Sequence, residues 1–121
     1  MSKRIRFAIL LTGLSGLAVA QPVTDPNGTL VGRIGNTNIE LPVRCDGTPV
    51  ARARSHDRRA APSVVIGVPT GPSRIGLVDI QTEAHEIYTP VEPDGKSFPM
   101  TFAGEADGVA FELVLDCRTA D

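Results

Sequence analysis

The sequence has no tryptophan, one tyrosine and four phenylalanines in 121 residues. Any core must therefore be mostly aliphatic, and an immunoglobulin domain, which packs a tryptophan against its disulfide, is excluded. Cysteine and histidine are equally scarce: Cys45 and Cys117, His56 and His85. Two cysteines without paired spacing and two distant histidines do not make a four-ligand zinc site, so no metal and no other cofactor is expected. A Gly-x-Ser-x-Gly nucleophile elbow is missing, and Gly67-Val68-Pro69-Thr70-Gly71 lacks the Gly-Lys-Ser/Thr ending of a phosphate loop. There are no internal repeats, no low-complexity tract and no amphipathic helix pattern.

Long apolar runs are absent too, apart from one at the start. Met1 to Arg6 carries Lys3, Arg4 and Arg6, and the 14 residues Phe7 to Ala20 are uncharged and end in Ala18-Val19-Ala20. A basic start, a short apolar run and an Ala-x-Ala ending are the pattern of a secretory signal peptide, residues 1–20, cleaved before Gln21. A membrane-spanning helix needs about 20 apolar residues, so an uncleaved anchor is the weaker reading. No cysteine follows the cleavage site to carry a lipid. The mature chain is expected to have no transmembrane segment and to be periplasmic or extracellular.

Positive charge is in short supply after residue 20. Residues 21–121 hold nine Lys/Arg against fourteen Asp/Glu, a net of −5. Such a chain lacks the dominant basic face of a general nucleic-acid binder, so no nucleic acid is expected as a partner. The acids crowd the C-terminal part: ten of them, with only Lys96 and Arg118, lie in residues 75–121.

What the sequence does have is alternation. In Gly108–Cys117, Val109, Phe111, Leu113, Leu115 and Cys117 share one face of a strand, because successive side chains point to opposite sides. Ile39, Leu41, Val43 and Cys45 do the same in Thr37–Cys45. Two strands thus each end in a core-facing cysteine. In an exported domain of this size the two are expected to form a disulfide. The bridge Cys45–Cys117 would close a 72-residue loop.

Taken in order, Gln21–Gly28 reads as a flexible leader and Thr29–Ile34 as the first strand, with Gly35-Asn36 turning into the second. Asn27-Gly28-Thr29 fits a glycosylation sequon, but a turn is the plainer explanation. Pro42 cannot donate to a ladder and points to an edge position or a bulge. Asp46–Pro62 has no periodic pattern and reads as a loop. Ser63–Val68 is a β-branched strand. In Arg74–Ile80, Ile75 and Leu77 are in phase with each other and out of phase with Val78 and Ile80, so a bulge or two covered faces are expected. Ile87–Val91 is a short strand, Glu92-Pro93-Asp94-Gly95-Lys96 a strong turn, and Ser97–Ala103 alternates through Phe98, Met100 and Phe102. The sum is an all-β domain over residues 29–121: a small antiparallel β-sandwich or open barrel of about seven short strands with one disulfide.

Candidate chemistry is thin. Ser55-His56-Asp57 names a hydrolase triad, but adjacent residues rarely adopt that arrangement. Glu83, His85 and Glu86 put three candidate ligands on one short turn, and such ligands seldom converge on an ion. Arg52, Arg54, Arg58 and Arg59 make the stretch 46–62 basic. It is the expected interaction loop for a protein partner or an acidic surface. The reading that follows is an exported, non-catalytic binding or envelope module. The alternative is a small exported hydrolase or metal-dependent protein using His56 or His85.

Overall fold

The computed structural model describes residues 23–56 and 62–118. The expected signal peptide, together with Asp57, Arg58 and Arg59, lies outside the described residues. Eight strands follow one another: β1 (Gly28–Ile34), β2 (Thr37–Asp46), β3 (Arg52–Arg54), β4 (Ser63–Gly67), β5 (Gly76–Gln81), β6 (Glu86–Val91), β7 (Met100–Ala106) and β8 (Val109–Cys117). They form one antiparallel sheet in the order β6-β5-β4-β3-β2-β1-β8-β7. Each strand pairs with the next from β1 to β6, and the last strand returns to the first. The outer strands β6 and β7 touch without forming a ladder, so the sheet is nearly closed.

The local chemistry explains the hairpins. Asp107 and Gly108 form a two-residue turn with φ of 53° and 76°. Positive φ at both positions is what a type I′ turn requires, and Asp-Gly is a preferred pair for it. That turn sets the β7–β8 register, Met100 opposite Leu115 and Phe102 opposite Leu113. On β8 the alternation is complete: Phe111, Leu113, Leu115 and Cys117 are buried, while Ala110, Glu112, Val114 and Asp116 face out. The inner side of the rolled sheet is filled by Leu30, Ile34, Val43, Ile66, Val78, Ile80, Ile87, Phe102, Leu113 and Leu115. Each such side chain contributes about 1.5–3 kcal/mol on burial.

Four expectations need correction. Among the described residues the strands number eight, because β3 crosses the stretch read as a loop. Ala53 of β3 is buried opposite Cys45 on one side and Ile66 on the other, so a three-residue strand sits in mid-sheet. The core face of β5 is Val78 and Ile80, together with Gly76. Leu77 is half-buried on the outer side, and Ile75 precedes the strand and is exposed. The phase mismatch is thus neither a bulge nor a doubly covered strand. The alternation at Ser97–Ala103 begins later, at Met100, and Ser97–Pro99 belongs to the preceding loop. Finally, the leader is docked where it is described: Val23 is buried, the Asp25 carbonyl accepts a hydrogen bond from Arg44, and Asn27 is tied on both sides. Pro42 lies as expected at an edge-like position, on the part of β2 that pairs with β1 alone; β3 engages only Arg44–Asp46.

Candidate binding surface

The strand directions gather the functional candidates at two ends of the sheet. One end carries the start of β1, the ends of β2 and β8, and the β4–β5 and β6–β7 loops. Here Cys45 and Cys117 are joined, with Cα atoms 6.0 Å apart. The bridge links β2 and β8 across the strand that separates them, β1, where Gly28 pairs with both Val43 and Cys117. Asn27 lies beside it. Its side-chain Oδ1 accepts the Cys45 N–H at 2.6 Å and its Nδ2 donates to the Cys45 carbonyl at 3.0 Å.

The arginines divide between strand and turn. Arg52 and Arg54 stand on the outer face of β3, flanking the buried Ala53. Arg54 donates to Asp46 at 2.5 Å, and Arg44, its cross-strand partner, reaches the same carboxylate at 3.8 Å. The expected interaction loop is therefore partly a sheet face, with Asp46 already engaging one of its arginines, Arg54, together with Arg44 of β2.

The two histidines go to different places. Ser55 and His56 are both buried, and Ser55 Oγ accepts the Val64 N–H at 2.9 Å. That hydroxyl extends the β3–β4 pairing. His85 sits in the β5–β6 turn, where Thr82 Oγ accepts the N–H groups of Ala84 and His85. Its imidazole lies against the β1–β2 turn, Nε2 being 3.7 Å from where a β-carbon on Gly35 would stand. Among the described residues no three of His, Cys, Asp and Glu come together in a metal-holding group.

A cleft of about 560 Å³ opens between the β4–β5 and β6–β7 loops. Its floor is Met100, almost fully buried, and its walls are Pro69, Pro72 and Pro93. Arg74, Lys96, Glu92 and Asp94 line its rim, and none of the four forms an ion pair among the described residues. The walls are preformed. Asp94 and Thr101 exchange backbone hydrogen bonds of 2.8 and 3.2 Å, fixing the β6–β7 loop against β7. In the facing loop, Ser73 N–H donates to the Thr70 carbonyl and Ser73 Oγ accepts the Ile75 N–H. Sequence reasoning read both loops as turns and missed the cleft, because the two are separated by strands β5 and β6. The one signal was their shared richness in proline and glycine, which marks turns but not which turns meet.

No protein-family model matches the chain, and no curated protein or solved structure matches it.

Proposed function

We propose that the protein is an exported, non-catalytic binding module that receives a polar segment of a partner protein in the cleft between the β4–β5 and β6–β7 loops. The observation that carries this reading is a preformed cleft whose rim charges have no partner within the described residues. Its volume falls in the range of roughly 300–1,000 Å³ found for ligand sites. Rim groups of both signs favour a segment that offers a carboxylate to Arg74 and Lys96 and a basic group to Glu92 and Asp94; such complementarity favours specificity and fast association more than raw affinity. The apolar floor and three prolines present a surface that loses little side-chain entropy on binding.

Export is supported by the intramolecular disulfide, which fits an oxidising compartment, and by the sequence of residues 1–20. The commitment of the Ser55 hydroxyl to Val64, and the burial of His56 beside it, favour a binding role over hydrolysis. The β3 arginine face is a less favoured docking surface, since Asp46 already engages Arg44 and Arg54.

The experiment is site-specific photocrosslinking in the native extract, with the photoreactive group at Ser73 beside the cleft or at Asn36 on the opposite end. A partner captured from Ser73, lost in R74E/K96E and retained in R52E, is the expected result. Capture that persists through R74E/K96E, or that arises equally from Asn36, sinks the assignment of the cleft.

A further inference from the structure

We infer that Asn27 is the positioning residue of the disulfide: its side-chain amide replaces a missing strand residue opposite Cys45 and sets that cysteine within reach of Cys117. The β1–β2 register pairs Gly28 with Val43. Continued by two residues, it would place Pro26 opposite Cys45. Proline has no N–H, so the Cys45 carbonyl would face no donor on that side. The Asn27 amide fills both roles at once, donating to the Cys45 carbonyl at 3.0 Å and accepting its N–H at 2.6 Å.

The backbone of the same residue reaches the other strand. Asn27 N–H donates to the Val43 carbonyl at 3.0 Å, and the Asn27 carbonyl accepts the Arg118 N–H at 2.8 Å. Four hydrogen bonds from one residue thus end on Val43, Cys45 and Arg118, on or beside the two bridged positions. None of them involves sulfur. The clamp can therefore form in the dithiol protein and hold the two thiols together before they react. A fixed pair of thiols has a higher effective concentration than a pair on fraying strand ends.

With glutathione disulfide as oxidant the reaction balances. One cysteine thiolate attacks the glutathione disulfide and forms a mixed disulfide, releasing one glutathione thiol. The second cysteine thiolate then displaces the other, so the protein loses two electrons and two protons and two glutathione thiols result. Asn27 takes no part in the bond changes. It acts on the geometry of the second step.

The test equilibrates the purified, folded protein in glutathione redox buffers and reads the ratio of disulfide to dithiol by alkylation and intact mass. For N27A the ratio is expected to fall about tenfold at a given buffer, because thiols on unclamped strand ends have a lower effective concentration. N27D keeps an acceptor for the Cys45 N–H but loses the donor, and should fall between the two. V78A, a cavity on β5 away from the bridge, should lower thermal stability and leave the ratio unchanged. A wild-type ratio in N27A, or an equal fall in V78A, overturns the inference. Amide exchange at Cys45 in the reduced wild-type protein decides the case without any variant. Protection there is the expected result, and free exchange would show that the clamp follows the disulfide instead of preceding it.

Discussion

Gly28 lies directly under the sulfur of Cys45: a β-carbon built on it would stand 2.9 Å from Sγ and 2.7 Å from the Asp116 carbonyl oxygen. The bridge can cross β1 only because this position has no side chain. G28A is therefore expected to destabilise the fold by about 2 kcal/mol, within the range for overpacked positions. For a domain of this size that corresponds to a fall in Tm of roughly 10 °C. In a C45A/C117A background the sulfur is gone and the contacts with the Asp116 carbonyl and Val43 Cγ2 remain, so the penalty should shrink. Equal penalties in the two backgrounds would show that the sulfur is not the obstacle.

Removing the bridge tests how much of the closure it supplies. It closes a loop of 72 residues. The chain-entropy account gives about 4 kcal/mol for such a loop, much of the 5–15 kcal/mol that typically separates folded from unfolded domains. Denaturant titration of C45A/C117A against the oxidised protein should show a loss approaching that figure. A loss near zero would mean that the β1–β8 ladder closes the sheet unaided.

These features were legible in the sequence because they rest on a period of two. β8 announces its inner face residue by residue, and each cysteine ends such a pattern. β3 was not legible. Its three residues put only Ala53 inward and two arginines outward, which has the composition of a solvated loop. On β5 the pair Ile75 and Leu77 suggested a second apolar face, but Asp79 and Gln81 share the side of Leu77, while Gly76, on the side of Val78 and Ile80, lets the chain pass close to the Gly67 carbonyl and to Phe102. The docking of Val23 depends on a single apolar residue, too little for any periodicity. The cleft was invisible for a different reason. It depends on which loops become neighbours when the sheet rolls up, and no local pattern encodes that.

Phe102 is fully buried on β7, and its ring reaches Gly76 on β5, 3.1 Å from where a β-carbon would stand. It packs across the inside of the sheet near the β6–β7 seam, which has no ladder to hold it. F102A should therefore cost about 3–5 kcal/mol, while F102L, which keeps most of the volume, should cost less than about 1.5 kcal/mol. Chemical denaturation measures both. A loss below 1 kcal/mol for F102A would mean that the seam is held by other contacts.

Asp46 separates two arginines that face each other across β2 and β3, Arg44 and Arg54. All three side chains are partly exposed, so the ion pairs themselves are worth little. Removing the carboxylate also leaves like charges directly opposed, which is unfavourable on a sheet. D46A is expected to lose about 1 kcal/mol at low salt, and the loss should shrink in 1 M salt, where the screening length is about 3 Å. A loss that ignores salt would assign the effect to β2 backbone packing in place of charge.

Asn27-Gly28-Thr29 satisfies the sequon for N-linked glycosylation, but the nitrogen that would carry the sugar is the one that donates to the Cys45 carbonyl. A glycan on Nδ2 leaves a single N–H and places a bulky group against the β2 backbone. Folding and glycosylation at this residue therefore compete. In a secretory host that modifies sequons, molecules with the Cys45–Cys117 bridge are expected to carry no sugar at Asn27, and any glycosylated fraction should be enriched in free thiols. Intact-mass analysis under non-reducing alkylation, followed by peptide mapping, separates the populations. A glycosylated, fully bridged protein with unchanged thermal stability would show that the Asn27 amide is dispensable to the fold.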